Sequence, residues 1–250
     1  MPSPAPRTAV LPLLLAAPYA VYVVTLFLTL GLLALLLILP LGSLQARRHI
    51  VRATARSFLY LAGLRLRLQH AERLPQEPCV VVANHASYLD GVVMKAALPA
   101  RFAFVIKREM NNVPLAGLLL RRIGAEFVDR GKGHRSARDA RRVLRTSSSG
   151  ASLAFFPEGT FETQPGLLRF HSGAFVAAAR SGYPVVPVVI RGTRQAMPSH
   201  RWWPHPGVIE VEVLPAIKPT AATPEAAVVE LKTRARALIL ERLDEPDLAP

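Results

Sequence analysis

The stretch Asn84-His85-Ala86-Ser87-Tyr88-Leu89-Asp90 carries the strongest chemical signal in the chain. A carboxylate that accepts the proton of one imidazole nitrogen leaves the other nitrogen free as a general base. On a continuous helix, at ~100° per residue, His85 and Asp90 would lie about 140° apart. They meet only if His85 sits on a turn and Asp90 in the first turn of a helix. No Gly-x-Ser-x-Gly elbow accompanies the pair, and Ser87 lies too close along the turn to be its nucleophile. The spacing therefore points to His85 activating a hydroxyl of a substrate, set against the ordinary reading of a structural histidine.

Three more motifs could contribute. In Phe156-Pro157-Glu158-Gly159-Thr160, Gly159 frees the backbone, so N–H groups there could cradle an anion. Glu158 would repel a phosphate directly and better suits an arginine or a backbone donor. A plain Pro-Gly turn is the competing reading. In Gly124-Ala125-Glu126-Phe127-Val128-Asp129-Arg130, a short strand ends in a guanidinium whose planar fork suits phosphate. Gly131-Lys132-Gly133 adds a second cation. Tyr183-Pro184-Val185-Val186-Pro187-Val188-Val189-Ile190 reads as a buried strand whose prolines confine it to an edge or a bulge.

These motifs need elements to hold them. Short apolar runs at 79–83, 102–106, 125–128, 152–156, 185–190 and 208–214 read as strands. Helical patterns at 90–98, 115–123, 135–147 and 172–181 alternate with them. Val80-Val81-Val82 lacks the alternation of a half-exposed strand and suits burial on both faces. The pattern predicts an α/β fold, a largely parallel mixed sheet flanked by helices. A last helix starts at Pro224 with Thr223 as its cap, and Val228, Leu231, Ala235 and Leu238 form its docking stripe.

Composition divides the chain in two. Hydrophobic residues make up 51% of it, which excludes disorder, and they concentrate near the N-terminus. Residues 8–46 are 39 positions without a charge, and 19–39 would reach about 31 Å as a helix, roughly a bilayer core. Pro12 and Pro18 interrupt the earlier part. The segment is longer than the apolar core of a signal peptide. Residues 1–46 are thus expected to anchor the chain in a membrane, as a single transmembrane helix or as a shallow monotopic two-helix insertion. Residues 47–250 form the globular domain. Arg47, Arg48, Arg52 and Arg56 follow at once, as on the cytoplasmic flank of an anchor, and would attract anionic headgroups. A single cysteine excludes a disulfide framework, and a net charge of +14 points to anionic partners.

In order and spacing, the four motifs resemble the glycerolipid acyltransferase family typified by the 1-acyl-sn-glycerol-3-phosphate acyltransferases. That pattern is Asn-His-x4-Asp, Gly-x2-Phe-x2-Arg, Phe-Pro-Glu-Gly-Thr and a proline-containing β-run, and all four fall within residues 84–190. Lys107-Arg108-Glu109-Met110, with Pro114 and Gly117, looks like the family's connection between its first two motifs. The resemblance implies that His85, oriented by Asp90, deprotonates the hydroxyl of lysophosphatidic acid for attack on an acyl thioester. It also implies phosphate contacts from Arg130, Glu158, Gly159 and Thr160, with Lys107 as a further contributor. Backbone N–H groups near these turns would receive the oxyanion. No cofactor or metal is implied, only acyl-CoA or acyl carrier protein as co-substrate, a lysophospholipid and the bilayer as partners, and no nucleic acid. The catalytic domain would sit on the cytoplasmic face of a membrane. Two positions depart from the pattern. Phe161 stands where the family has Arg or Ser, and His171 stands where Phe-Lys-x-Gly has its lysine. Arg169, Arg191 and Arg194 are the candidate replacements.

Other features read two ways. Arg135, Arg138, Arg142 and Arg145 form a lipid-docking or merely solvated helix face. Trp202-Trp203-Pro204-His205-Pro206 is an interfacial loop or a packed turn. The alternatives to phosphatidate synthesis are an acyltransferase for another lysolipid, a hydrolase in which His85 activates water, a basic nucleic-acid-binding protein and a non-catalytic membrane scaffold.

Overall fold

The computed structural model describes residues 10–129, 134–148 and 150–249. At its centre is β2 (Val80–Ala83), in which every residue is buried. A strand with no polar face must be covered on both sides, and its neighbours do this. The other strands are β1 (Leu64–Gln69), β3 (Phe102–Lys107), β4 (Glu126–Val128), β5 (Ser152–Phe155), β6 (Val185–Arg191) and β7 (Gly207–Val213). They form one sheet in the order β1-β7-β6-β2-β5-β3-β4. All neighbours are parallel except β6 and β7. The expected mixed, largely parallel sheet is present.

Eight α-helices accompany the strands among the described residues. They are α1 (Val10–Ile38), α2 (Leu44–Leu61), α3 (Asp90–Ala97), α4 (Ala116–Arg122), α5 (His134–Ser148), α6 (Gly173–Ser181), α7 (Thr193–Ala196) and α8 (Pro224–Leu243). One core packs Val81, Ala83, Phe104 and Val188 against α2 and α3, with Val23 of α1 joining it. The opposite core packs Val80, Val82, Leu153 and Val189 against α6 and α8. Thr223 caps α8 by accepting from Ala226 N, and Leu231, Ala235 and Ile239 form its buried stripe.

The N-terminal region differs from expectation. Helix α1 runs through Pro18 and is roughly 43 Å long at ~1.5 Å per residue. The basic flank is itself a helix, α2, and position 46/47 falls inside it. Its N-terminus is capped by Ser43, whose side chain accepts from Ala46 N. Arg47 and Arg48 are structural rather than free for headgroups. Arg48 is buried and donates to the carbonyls of Ile123, Arg101 and Gly124, and Arg47 to those of Leu41 and Arg122. Strand β1, Leu-Arg-Leu-Arg-Leu-Gln, also went unpredicted. Its arginines alternate with leucines as on a sheet edge.

Strand β6 is interior, between β2 and β7, despite its prolines. Pro187 sits where the ladder to β7 breaks: Leu214 N donates to its carbonyl, and the next bridge is Val185 to Ile217. The proline thus forgoes only the reciprocal bond to Leu214, the last of that ladder before its register shifts. Just beyond β6, Gly192 turns the chain with φ +89°, and a Cβ there would drive into the carbonyl oxygen of Val208. Gly192→Ala should therefore lower the unfolding free energy by about 2 kcal/mol or more. Gly91→Ala, with open space around its Cβ in α3, should be neutral or stabilising. Urea unfolding of the two variants in detergent checks the contrast.

Candidate active site

The sheet delivers the His85 turn at the C-terminal end of β2. Asn84 extends the ladder with its side chain, donating to Ile190 O at 3.0 Å and accepting from Ile190 N at 2.7 Å. The chain then turns through 85–89 and enters α3 at Asp90. This is the turn-then-helix geometry that the spacing requires. His85 Nδ1 lies 2.8 Å from Asp90 Oδ2. The same oxygen accepts from Ala86 N at 2.6 Å and Ser87 N at 2.8 Å, and Asp90 is fully buried. With two backbone N–H groups already on that oxygen, the contact suits an imidazole N–H at Nδ1, the tautomer in which Nε2 keeps its lone pair.

Glu158 secures the turn from below. It is 3% exposed, and its two oxygens accept from His85 N at 2.6 Å and Leu168 N at 2.8 Å. The carboxylate is thus engaged with backbone donors, as its charge suggests. Gly159 has φ +80°, which supplies the left-handed bend after it, and Thr160 is exposed. The N–H groups of residues 85–87 are all committed to these carboxylates, so an oxyanion must find its donors elsewhere.

Aromatic rings frame the imidazole, a feature sequence reading missed. Phe156 stacks on His85 at 4.4 Å, and Phe161 meets it edge-on at 4.8 Å. Tyr88, itself exposed, meets Phe161 at 4.8 Å. A cavity of about 290 Å³ lies behind Phe156, walled by Val105, Val143, Phe155 and Ala174, with Asp139 and His171 also on its lining. Ser87 is structural: its hydroxyl donates to Met197 O at 2.7 Å and accepts from Leu89 N. Cys79 is buried, and burial pushes its thiol up to about 11, which suits a core residue.

The remaining predicted residues are spread around this centre. Lys107 is exposed at the end of β3, with its Nζ 3.2 Å from Glu109 Oε1. Arg130 and Gly131-Lys132-Gly133 lie outside the described residues, as do the side chains of Arg135 and Arg138. Asp139, the only acid in α5, holds the approach to that segment. It accepts from Asp129 N at 2.8 Å and pairs with Arg108 and Arg142. Of the three replacement cations, two are already engaged. Arg191 pairs with Glu212 at 2.8 Å, and Arg194 pairs with Glu245 at 3.1 Å. Arg169 is exposed and has no hydrogen-bond partner among the described residues. Nor do three His, Cys, Asp or Glu side chains gather as a metal site among them.

Burial pushes the Glu158 carboxyl up to about 7 from its ordinary 4.5, although the N–H groups of Leu168 and His85 oppose the shift. The folded chain therefore holds this proton more tightly than the unfolded one. The resulting stability is fully present below about pH 4.5 and is lost as pH rises through about 7. Glu158→Gln cannot titrate, and its amide offers one acceptor for two donors. The variant should be less stable than wild type near pH 5, and the deficit should shrink by on the order of 2–3 kcal/mol by about pH 8. Urea unfolding across that range measures it, and parallel curves for the two proteins would refute the shift.

A family model described as Acyltransferase matches residues 65–191. The chain is 30% identical to human 1-acyl-sn-glycerol-3-phosphate acyltransferase beta over 187 residues, 73% of this chain and 66% of that protein. It is 28% identical to the Pseudomonas aeruginosa 1-acyl-sn-glycerol-3-phosphate acyltransferase over 214 residues, 83% and 82% of the two chains. With human lysophospholipid acyltransferase LPCAT4 it shares 36% identity over 176 residues, 68% of this chain, and spans about a third (32%) of that protein. The crystal structure of the 1-acyl-sn-glycerophosphate acyltransferase PlsC from Thermotoga maritima superposes with a TM-score of 0.69. The match covers 90% of this chain and 95% of that one at 23% identity, a likeness of fold. The Asn-His-x4-Asp and Phe-Pro-Glu-Gly-Thr motifs fall inside the matched half of the sequence, and the chain belongs to the acyltransferase family.

Proposed function

We propose that the chain transfers an acyl group from acyl-CoA or acyl-acyl carrier protein to the free hydroxyl of lysophosphatidic acid, forming phosphatidic acid for phospholipid synthesis. The observation that carries this reading is the fixed His85–Asp90 pair, with Nε2 left as the acceptor. Nε2 takes the hydroxyl proton as the oxygen attacks the thioester carbonyl. The tetrahedral intermediate collapses with loss of the thiolate, to which the imidazolium returns the proton. Asp90 stabilises that imidazolium and fixes its tautomer. Arg130, Thr160 and Lys107 are the proposed phosphate contacts, with Glu158 and Gly159 shaping the turn between them. The apolar cavity behind Phe156 is the proposed seat of an acyl chain.

The relatives named as 1-acyl-sn-glycerol-3-phosphate acyltransferases support lysophosphatidic acid as acceptor. One observation favours a second acceptor. Phe161 occupies a position at which a cation would face the imidazole, which suits a lysolipid with less headgroup charge.

Helix α1 is long and apolar enough to cross a bilayer by length and composition. We place it in one leaflet instead, with the catalytic domain on the cytoplasmic face. It packs on α2 along its length: Tyr19 and Tyr22 donate to Ala62 O and Leu61 O at one end, and Leu35 and Ile38 meet Val51 at the other. A perpendicular span would carry α2 and its arginines into hydrocarbon, which is costly.

Membranes from cells expressing the chain, given labelled acyl-CoA and lysophosphatidic acid, should form phosphatidic acid. His85→Ala and Asp90→Asn should each lower the rate by about 10²–10⁴-fold. Transfer to lysophosphatidylcholine alone would move the acceptor and keep the mechanism. Fatty acid release without an acceptor would support a hydrolase. No product from either donor, acyl-CoA or acyl-acyl carrier protein, would overturn the reading.

A further inference from the structure

The loop 198–206 does no work in the reaction described above, yet it carries both tryptophans of the chain. Trp202 is 82% exposed, while Trp203 is half-buried and Pro204 is buried beneath it. Both ends of the loop are fixed. At one end, Met197 O accepts from the hydroxyl of Ser87, inside the catalytic turn. At the other, Gly207 N donates to Gly63 O at 3.2 Å, and Pro206 packs against Gly63 at the junction of α2 and β1. The loop therefore bridges the catalytic turn and the base of the α1–α2 hairpin.

That junction is ringed with exposed aromatics. Tyr60 at the end of α2 is 82% exposed. Tyr22 is exposed on α1 and is tied to Leu61 O by its hydroxyl. Beyond Tyr22, the outward face of α1 continues with exposed Val24 and Leu28. Between α2 and β1, a groove is lined by Arg56, Tyr60 and Arg65. Exposed tryptophan and tyrosine beside arginine, continuous with an apolar helix face, match the headgroup layer of an anionic bilayer. A soluble protein partner would not account for the continuity with α1.

We propose that the 198–206 loop is a second membrane contact, with Trp202 seated at headgroup depth in the leaflet that holds α1. Trp202, Tyr60 and Tyr22 then form one interfacial belt, and the mouth of the site at Tyr88 and Phe161 faces lipid. This rests on the anchoring reading above and not on the reaction.

Because the chain has two tryptophans, its fluorescence reports on this loop alone. The full chain is reconstituted in phosphatidylethanolamine–phosphatidylglycerol vesicles, with and without lipid brominated near the glycerol end of its acyl chains. In Trp203→Phe, the remaining Trp202 should be quenched at least about twofold by bromolipid and shielded from aqueous iodide. In Trp202→Phe, the remaining Trp203 should respond weakly to both quenchers. The wild-type protein, with both residues, should still lose intensity to bromolipid, which covers the case where a variant does not fold. A chain that floats with the vesicles while Trp202 stays open to iodide and blind to bromolipid overturns the loop contact and leaves α1 anchoring intact. A chain that does not float overturns both. Quenching requires no turnover, so the outcome is independent of acyl transfer.

Discussion

The site depends on satisfying the backbone of one turn in a place that water does not reach. Residues 85, 86 and 87 each present an N–H group at the end of a buried strand, and an unpaired donor there is expensive. Two buried carboxylates answer this. Asp90 takes Ala86 and Ser87 on the oxygen that also receives the imidazole, and Glu158 takes His85. The bonds that hold the turn are therefore the bonds that orient the imidazole. The chain reaches this arrangement from two directions, since Asp90 comes from the following helix and Glu158 from the end of the neighbouring β5. Glu158 in turn depends on Leu168, whose segment is braced by the C-terminal tail. Leu167 N donates to Pro246 O, Glu245 accepts from Gly166 N and pairs with Arg194, and Arg236 of α8 donates to the carbonyls of Leu167 and Leu168. A tail far from the histidine in sequence thus contributes to its geometry.

The same economy governs the N-terminal hairpin. A helix end offers unpaired carbonyls, and Arg48 satisfies those of Ile123 and Gly124 at the end of α4 while also reaching Arg101 at the start of β3. Arg47 does the same for Leu41 and Arg122. These guanidiniums are fixed to the domain rather than left to seek headgroups. The apolar helix and the catalytic domain are consequently one packed unit, with Val23 sharing a core with Phe58 and Val188. An anchor joined by a flexible linker would leave the depth of the site free to vary. On the proposed anchoring, the depth of α1 sets it here.

Sequence was informative where one local rule dominated. The valine run of β2, the turn-and-helix requirement between His85 and Asp90, and the cap at Thr223 each follow from short-range physics, and each is present. It was less informative where two rules competed. The arginines of α2 satisfied a charge rule for membrane flanks, which hid the helical periodicity they also carry. Pro187 argued for an edge or a bulge, and only the fold shows that it sits in an interior strand where the β7 ladder shifts register. The partners of Glu158 could not be named, because Leu168 reaches it only through a loop set by tertiary packing. Phe156 and Phe161 look like ordinary apolar residues in sequence, and only the fold brings both rings onto one imidazole. Asp139 was legible in principle, as a lone acid in an arginine-rich helix, but its tie to Asp129 N required the fold.

Those rings bear on what the imidazole can do. On the proposed reaction, a base able to take a proton from a lipid hydroxyl can take one from water, which would waste the thioester. Selectivity between the two must come from what reaches Nε2. A cation at position 161 would bring hydration with it and would grip a phosphate. Phenylalanine there supplies an apolar edge, backed by Tyr88 on one side and by the Phe156 stack on the other face of the histidine. Phe161 therefore places an apolar ring, and no charge to pair with a headgroup, beside the imidazole. On the proposed reaction, the acceptor is then positioned by cations farther out and by the surface that delivers it, so that capture of the lipid and activation of its hydroxyl fall to different residues.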